Sequence, residues 1–558
     1  MLVVTLCVSA VLSLLYIIVS KLILVFIPIF IGRRMCGTDM CKRVEQQIKV
    51  PEPMGVIPAV VYAIFMFLLI LVLFFREWTM SGALLSGWLS ICTAISLGFA
   101  DDMMELRWRH KLLFPTLSSL PLLMVYYVSG NSTSVLLPKQ ISSLLPFLGK
   151  DFPYLTLLAV LSLLSYIIAS KLIPEYIPIF IGRKMCGTDM CKRVEQQTYV
   201  PEPMGVITAA VYLIFMFLLI PVPFWEWTMS GDFPYVKLLA FLSGLISICT
   251  AILLGFADDV LDLRWRHKLL FPTLSSLPLL MVYYVSGNST SVLLPEQISS
   301  ISPFLGKYVD IGPLYYVYMG MMIVFCTNAI NIIAGINGVE GGQSVVIAIS
   351  IAVFNVVQLI RLESQDWYHI LSLSFLLPFI ATSLALLKFN RYPARVFVGD
   401  TYCYWAGMTI AAVGILGHFS KTMILFLVPQ VFNFVYSIPQ LFKLVPCPRH
   451  RLPKFDKENN VVGMSFAEFK NSETKTLGRI ALKAFELFGL LYREEFEKDG
   501  EKWIRINNLT ILNVILKFTG PMREDKLTIT FLFLQGFCSI IAFFIRFGLA
   551  NLVYDVVK

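Results

Sequence analysis

Apolar runs of about twenty residues, separated by short polar stretches, recur along almost the whole chain, which is the length needed to cross a bilayer as a helix. Four such segments are read between 151 and 300, at roughly 157–181, 206–223, 236–256 and 269–285, and four counterparts precede them in 1–150. Beyond Pro303 further segments follow at roughly 311–330, 344–359, 370–387, 402–416, 423–444 and 527–553. The pattern predicts an all-α polytopic membrane protein with about fourteen transmembrane helices. One stretch, 446–526, is too polar to enter lipid. It combines a helix-like run, Thr474–Leu491, with a strand-like run, Lys502–Ile506, and is read as a small cytosolic α/β insert before the last helix.

The first eight segments are two near-identical sets. IPIFIGRRMCGTDMCKRVEQQ at 27–47 returns at 177–197 with Lys184 in place of Arg34, and RWRHKLLFPTLSSLPLLMVYYVSGNSTSVLLP at 107–138 returns at 264–295. Residues 1–150 therefore read as a redundant partial copy of the first four helices. Residues 151–558 read as the complete unit, of ten helices. Four spans are an even number, so both copies enter the membrane in the same orientation. The third segment of the first copy is expected to be short, about 18 residues, because ALLSGWL stands where the second copy has DFPYVKLLAFLSGLI.

Composition agrees: the chain is 57% hydrophobic and only 15% charged, against about 25% charged in soluble domains. The net charge of +9 is read as orientation, not nucleic-acid binding. Loops carrying Arg183, Lys184, Lys192 and Arg193, then Arg264 to Lys268, then Lys388, Arg391 and Arg395, then Arg449 and Arg451, fall on one side if the segments alternate. That side is expected to be cytosolic. The eleven cysteines lie mostly within apolar segments and do not form a disulfide framework.

Four polar clusters carry the chemistry. ADDVLDLRWRHK, 257–268, places Asp258 and Asp259 before a run of bases ending at Lys268. Charge this dense belongs at a membrane face, where it suits a polyanion and its metal; ADDMMELRWRHK at 100–111 repeats it. In FCTNAINIIAGINGVEGG, 325–342, Asn328 and Asn331 share a helical face and either pair across helices or coordinate a cation. The Gly-rich run after them, with Gly335, Asn337, Gly338, Gly341 and Gly342, suits backbone N–H contacts to an anion. In NRYPARVFVGDTYCYWAGM, 390–408, Asp400 is either a helix N-cap or a ligand for a hard cation such as Mg²⁺. In PCPRHRLP, 446–453, Arg449, His450 and Arg451 are either an anchor of the positive-inside type or a clamp for a diphosphate or sugar. Acids, amides, a Gly loop and an Arg-His-Arg loop on one face point to Mg²⁺-dependent phosphoryl transfer, and a site at the membrane implies that one substrate is a lipid.

In order and context these four motifs resemble the polyprenyl-phosphate N-acetylhexosamine-1-phosphate transferase superfamily, most closely its eukaryotic branch, over essentially all of 151–558. The resemblance implies transfer of GlcNAc-1-phosphate from UDP-GlcNAc to dolichyl phosphate, at a cytosol-facing site in the endoplasmic reticulum membrane, with tunicamycin as an inhibitor. Carried over by motif, Asn331 and Asp400 would hold Mg²⁺ with Asn328 behind them. Phe397, Gly335, Asn337 and Glu202 would hold the nucleoside. Arg449 would grip the diphosphate, while His450, Arg451 and Trp265 would shape the sugar pocket. Lys268 would neutralise phosphate, and Asp258 and Asp259 would orient or deprotonate the acceptor. A homodimer is compatible with this reading. The competing readings are a relative using another polyprenyl phosphate or UDP-amino sugar, and a transporter. Transporter repeats normally build the site between them, whereas here the key clusters lie outside the repeat.

Overall fold

The computed structural model describes residues 2–33, 35–38, 49–73, 78–104, 106, 108–128, 154–189, 199–224, 233–263, 265–293, 308–361, 367–448, 451–470, 473–498 and 501–549. The first copy contributes α1 (Leu2–Gly32), α2 (Val56–Leu73), α3 (Trp78–Met104), α4 (Trp108–Ser118) and α5 (Leu120–Val128). The second contributes α6 (Tyr154–Gly182), α7 (Gly205–Leu219), α8 (Tyr235–Leu261) and α9 (Trp265–Val285). Then come α10 (Pro313–Ile332), α11 (Val339–Arg361), α12 (Trp367–Asn390), α13 (Gly399–Leu416), α14 (Ser420–Phe426) and α15 (Val428–Leu441). The insert holds α16 (Thr476–Leu487) and α17 (Ile511–Thr519), and α18 (Glu524–Phe544) ends the described chain in a π-helical turn, Ile545–Leu549.

Among the described residues eleven helices are long and apolar enough to cross a membrane, or twelve if the bent pair α14–α15 is one span. This is fewer than the sequence predicts. The two remaining segments are helical as well. α2 is an 18-residue helix, VIPAVVYAIFMFLLILVL, apolar along its whole length. In α13 the first half is polar and aromatic, and every residue from Thr401 to Leu416 is buried. A helix walled in by other helices does not meet lipid and need not be apolar. The first copy's third segment also departs from expectation: α3 is 27 residues long, as long as α8. The stretch WTMSG, 78–82, forms the first turns of α3.

The centre of the molecule is α13, packed against α8, α10 and α12. Glycines allow the approach: a Cβ on Gly255 of α8 would lie 2.6 Å from Cα of Thr401, and one on Gly407 would lie 2.3 Å from the carbonyl oxygen of Cys326 in α10. The break between α14 and α15 bends the chain by 75° and frees the Phe426 carbonyl. Gln535 of α18 donates to it at 2.9 Å, while Gln430 donates to both Gln343 and Gln535. Buried backbone groups of a broken span need such partners.

Short antiparallel hairpins decorate the membrane faces. β1 (Cys36–Thr38) pairs with β2 (Lys49–Pro51), β3 (Cys186–Thr188) with β4 (Tyr199–Pro201), and β5 (Ser291–Leu293) with β6 (Tyr308–Asp310). In the insert β7 (Lys454–Asp456) pairs with β8 (Val461–Gly463). β9 (Phe466–Lys470), β10 (Arg493–Lys498) and β11 (Glu501–Asn507) form a sheet in the order β10-β11-β9. One face of it joins Leu482 of α16 and Tyr436 of α15 in a separate core, which fastens the insert to the end of the broken helix.

Candidate active site

α8 ends and α9 begins with only three residues between them, so the acids and the lysine of the 257–268 motif are folded back onto each other. Asp262 closes α8 in a left-handed conformation at φ 53°. The Asp258 carboxylate accepts from the Leu263 N–H at 3.0 Å and from the Tyr404 hydroxyl at 3.4 Å. Lys268, one turn into α9, places Nζ 2.9 Å from Asp258 Oδ2 and 3.0 Å from Asp400 Oδ2. One ammonium group thus bridges the start of α13 to the end of α8.

Asp259 does something different. Its carboxylate accepts from the backbone N–H groups of Asp400 (2.6 Å) and Thr401 (2.9 Å), and from the Thr401 hydroxyl (2.5 Å). The first N–H groups of a helix lack intrahelical partners, and here a neighbouring helix caps them. Asp400 is consequently not the cap of its own helix. Its Oδ1 accepts from Asn331 Nδ2 at 2.5 Å and its Oδ2 from Lys268. Asn328 bonds back to the Val324 carbonyl at 2.9 Å and reaches the Lys268 carbonyl at 3.4 Å, so it ties α10 to α9.

A second group of residues lies alongside. Phe397 N–H donates to the Pro201 carbonyl at 2.7 Å. A Cβ on Gly187 would sit 3.4 Å from Glu202 Oε2 and 3.6 Å from the Phe397 ring, so β3, Glu202 and Phe397 form one small wall. Glu202 as a whole stays exposed, yet partial burial of its carboxyl, then Asp400 and Asp262 nearby, hold its pKa above the ordinary glutamate value. Asn337 is buried, with its side-chain amide on Asp189 (3.0 Å) and Glu524 (3.4 Å) and its backbone N–H on Glu524 (2.6 Å). Gly335, at φ +92°, donates its N–H to Glu340 at 3.1 Å. The space a Cβ would take on Gly335 is filled by Leu452, which brings the 446–453 loop against the Gly-rich loop.

Of that loop, Arg449 and His450 lie outside the described residues, as does the side chain of Trp265. Arg451 is described: its carbonyl accepts from Ser465 and Asn513, and its guanidinium Nη1 is buried without a hydrogen-bond partner. Burial also pulls its pKa below the usual arginine value. An unpaired buried donor is costly, and an anionic ligand is the natural remedy.

The structure thus joins Asp258, Asp259, Lys268, Asn331 and Asp400 in one hydrogen-bonded cluster, and sets Glu202 beside Phe397. Four participants escaped the sequence reading: Thr401, Tyr404, Asp189 and Glu524. Asp189 carried one signal, its recurrence with MCGTD in both copies; Glu524 carried none beyond an acid at a helix start. For a cation, the donor set is one carboxylate and one amide at a helix end. A half-turn of the Asn331 amide presents its oxygen. That set suits Mg²⁺, which takes one or two protein oxygens and completes its shell with substrate phosphates and water.

Residues 241–418 match the model of glycosyl transferase family 4. The chain is 44% identical over 418 residues to the UDP-N-acetylglucosamine–dolichyl-phosphate N-acetylglucosaminephosphotransferase of Schizosaccharomyces pombe, covering 71% of this chain and 92% of the relative. It is 44% identical over 414 residues to the enzyme of the same name from Saccharomyces cerevisiae, covering 70% and 90%. With that of Dictyostelium discoideum it shares 40% over 397 residues, covering 68% and 85%.

Proposed function

Because the chain belongs to the family of UDP-N-acetylglucosamine–dolichyl-phosphate N-acetylglucosaminephosphotransferases, we propose that the cluster joining α8, α9, α10 and α13 is where it transfers GlcNAc-1-phosphate from UDP-GlcNAc to dolichyl phosphate. An oxygen of the lipid phosphate attacks the phosphorus that carries the sugar. The bond from that phosphorus to the bridging oxygen breaks, and the electron pair leaves with UMP. The other product, GlcNAc-diphosphodolichol, begins the lipid-linked precursor of N-glycans.

The observation that carries this reading is the position of Asp400, held between Asn331 at 2.5 Å and Lys268 at 3.0 Å at a helix start. Asn331 and Asp400 would hold Mg²⁺, which when bound supplies positive charge to the diphosphate. Lys268 sits between two carboxylates and stands ready to swing one contact to phosphate. A phosphate monoester has a second pKa near 6, so the acceptor is largely dianionic at neutral pH and needs little help from a base. Asp258 then orients Lys268, and Asp259 fixes the backbone that presents Asp400. The wall of Glu202 and Phe397, with Gly335 and Asn337, receives the nucleoside. Arg451, with Arg449, His450 and Trp265, receives the diphosphate and sugar. The site faces the cytosol from the endoplasmic reticulum membrane, by the placement of the basic loops.

The test is release of UMP from UDP-GlcNAc by the purified chain in lipid, with dolichyl phosphate as acceptor. UMP release that requires Mg²⁺ and stops with tunicamycin is expected. Transfer to undecaprenyl phosphate in preference to dolichyl phosphate, or release without added divalent cation, would overturn the assignment.

A further inference from the structure

The two copies meet most extensively through the same helix of each, and α4 and α5 of the first copy also touch α7 of the second. α3 and α8 share the stretch LSG-x-x-SICTA, Leu85–Ala94 in one and Leu242–Ala251 in the other, and both end in GFADD. Three spans lie between them, α4–α5, α6 and α7, so they run in the same direction through the membrane. The ring of Phe99 lies edge-on to the ring of Phe256, 5.6 Å between centroids; these are equivalent positions of the repeat. Thr93 Oγ1 lies 3.9 Å from Cys249 Sγ, and Cys249 is the equivalent of Thr93's neighbour Cys92. On α3 the buried residues Leu85, Leu89, Cys92 and Phe99 follow the four-three spacing of a parallel helix seam. Their counterparts Leu242, Ile246, Cys249 and Phe256 are buried too. Along this seam parallel helices touch at equivalent residues, a locally self-complementary contact of the kind that joins two identical chains.

The local fold of the first copy supports that equivalence. Lys111 pairs with Asp101 at 2.8 Å, and the Leu106 N–H donates to Asp101 at 2.9 Å. These repeat the Lys268–Asp258 and Leu263–Asp258 contacts of the second copy. A further cross-copy tie joins Arg33 to Asp262 at 3.0 Å. The relatives have no room for the extra copy: 71% of this chain accounts for 92% of the Schizosaccharomyces pombe enzyme.

We infer that residues 1–150 occupy, within one chain, the place beside α8 that a second chain would take, so that the protein is a monomer assembled as an internal pair. The first copy lacks counterparts of Asn331 and Asp400, so the pair contains one site and one partner-like half. With α3 seated on it, the α8 face is closed to a second molecule.

Two measurements on the full chain in nanodiscs test this, and both read assembly, independently of transfer. Mass photometry is expected to find one chain per particle; two would overturn the inference. In the second, Phe99→Cys with Phe256→Cys is oxidised in a chain bearing a protease site placed between residues 129 and 153. The expected result is a disulfide within the chain that keeps the halves together after cleavage, while Phe256→Cys alone yields no linked pair of chains. A chain-to-chain disulfide through residue 256, or no disulfide in the double variant, would overturn the inference.

Discussion

A Cβ atom on Gly399 would lie 2.6 Å from Oδ2 of Asp259. Gly399 also sits at φ +74°, so any side chain there is strained twice, by its backbone and by the carboxylate that caps α13. Gly399→Ala should therefore push Asp259 off the Asp400 and Thr401 N–H groups. The backbone contribution is roughly 1–2 kcal/mol and the crowding roughly 1–3 kcal/mol. A fall in thermal midpoint with at least about ten-fold slower UMP release, equivalent to about 1.4 kcal/mol, is expected. Normal stability and normal rate would show that the cap is dispensable.

The two acidic loops offer a direct comparison. Asp259 caps α13, while Asp102 belongs to the copy that has no counterpart of that helix. Asp259→Ala should cost about 0.5–2 kcal/mol through the lost cap and depress transfer strongly. Asp102→Ala should leave the rate within about two-fold, a change below about 0.5 kcal/mol. The opposite pattern in a UMP-release assay would move the site to the first copy.

Glu202 supplies a pH dependence. Its folded pKa is raised, chiefly by burial and then by Asp400 and Asp262, so the folded state keeps its proton to higher pH than the unfolded state does. Stability from this group is therefore fully present below the unfolded pKa and is lost as pH rises through the folded value. Glu202→Gln should flatten the decline in thermal midpoint that begins above pH 4.5, while weakening nucleotide binding. An unchanged slope of midpoint against pH in the Gln variant would contradict this.

Arg451 buries an unpartnered guanidinium N–H, which is a cost to the free protein. Arg451→Lys keeps the charge but loses the planar fork that meets a diphosphate at two points. The expected outcome is a KM for UDP-GlcNAc raised about ten-fold, or about 1.4 kcal/mol, with the stability of the free protein equal or higher. Loss of stability with KM unchanged would make Arg451 a structural residue of the insert.

What the residue pattern disclosed and what it hid have physical reasons. Asn331, Asp400 and Lys268 were visible because a polar group at the end of an apolar span must have a partner or a purpose, and such groups on one membrane face have few places to go. Glu524 and Tyr404 were invisible because their roles exist only once α18 and α13 are packed. The repeat shows the limit most directly. RWRHKLLFPTLSSLPLLMVYYV occurs twice, yet it folds as the unbroken α9 in one copy and as α4 and α5, parted at Ser119, in the other. α9 lies against α8, α10 and α13, whereas the first copy has no counterpart of α10 or α13. Packing, not local preference, decides the break.

Leu452 occupies the hollow above Gly335 that the missing Cβ leaves open. Leu452, in the segment leading into the insert, shares this junction with an apolar core in which Ile333, Ile336 and Val339 beside the Gly-rich loop pack with Val462 of β8 and with Ile511, Leu512, Ile515 and Leu516 of α17. A disturbance in the insert is expected to reach the Gly-rich loop through this shared core. Substitutions in the insert would then weaken substrate affinity without touching a substrate-binding residue.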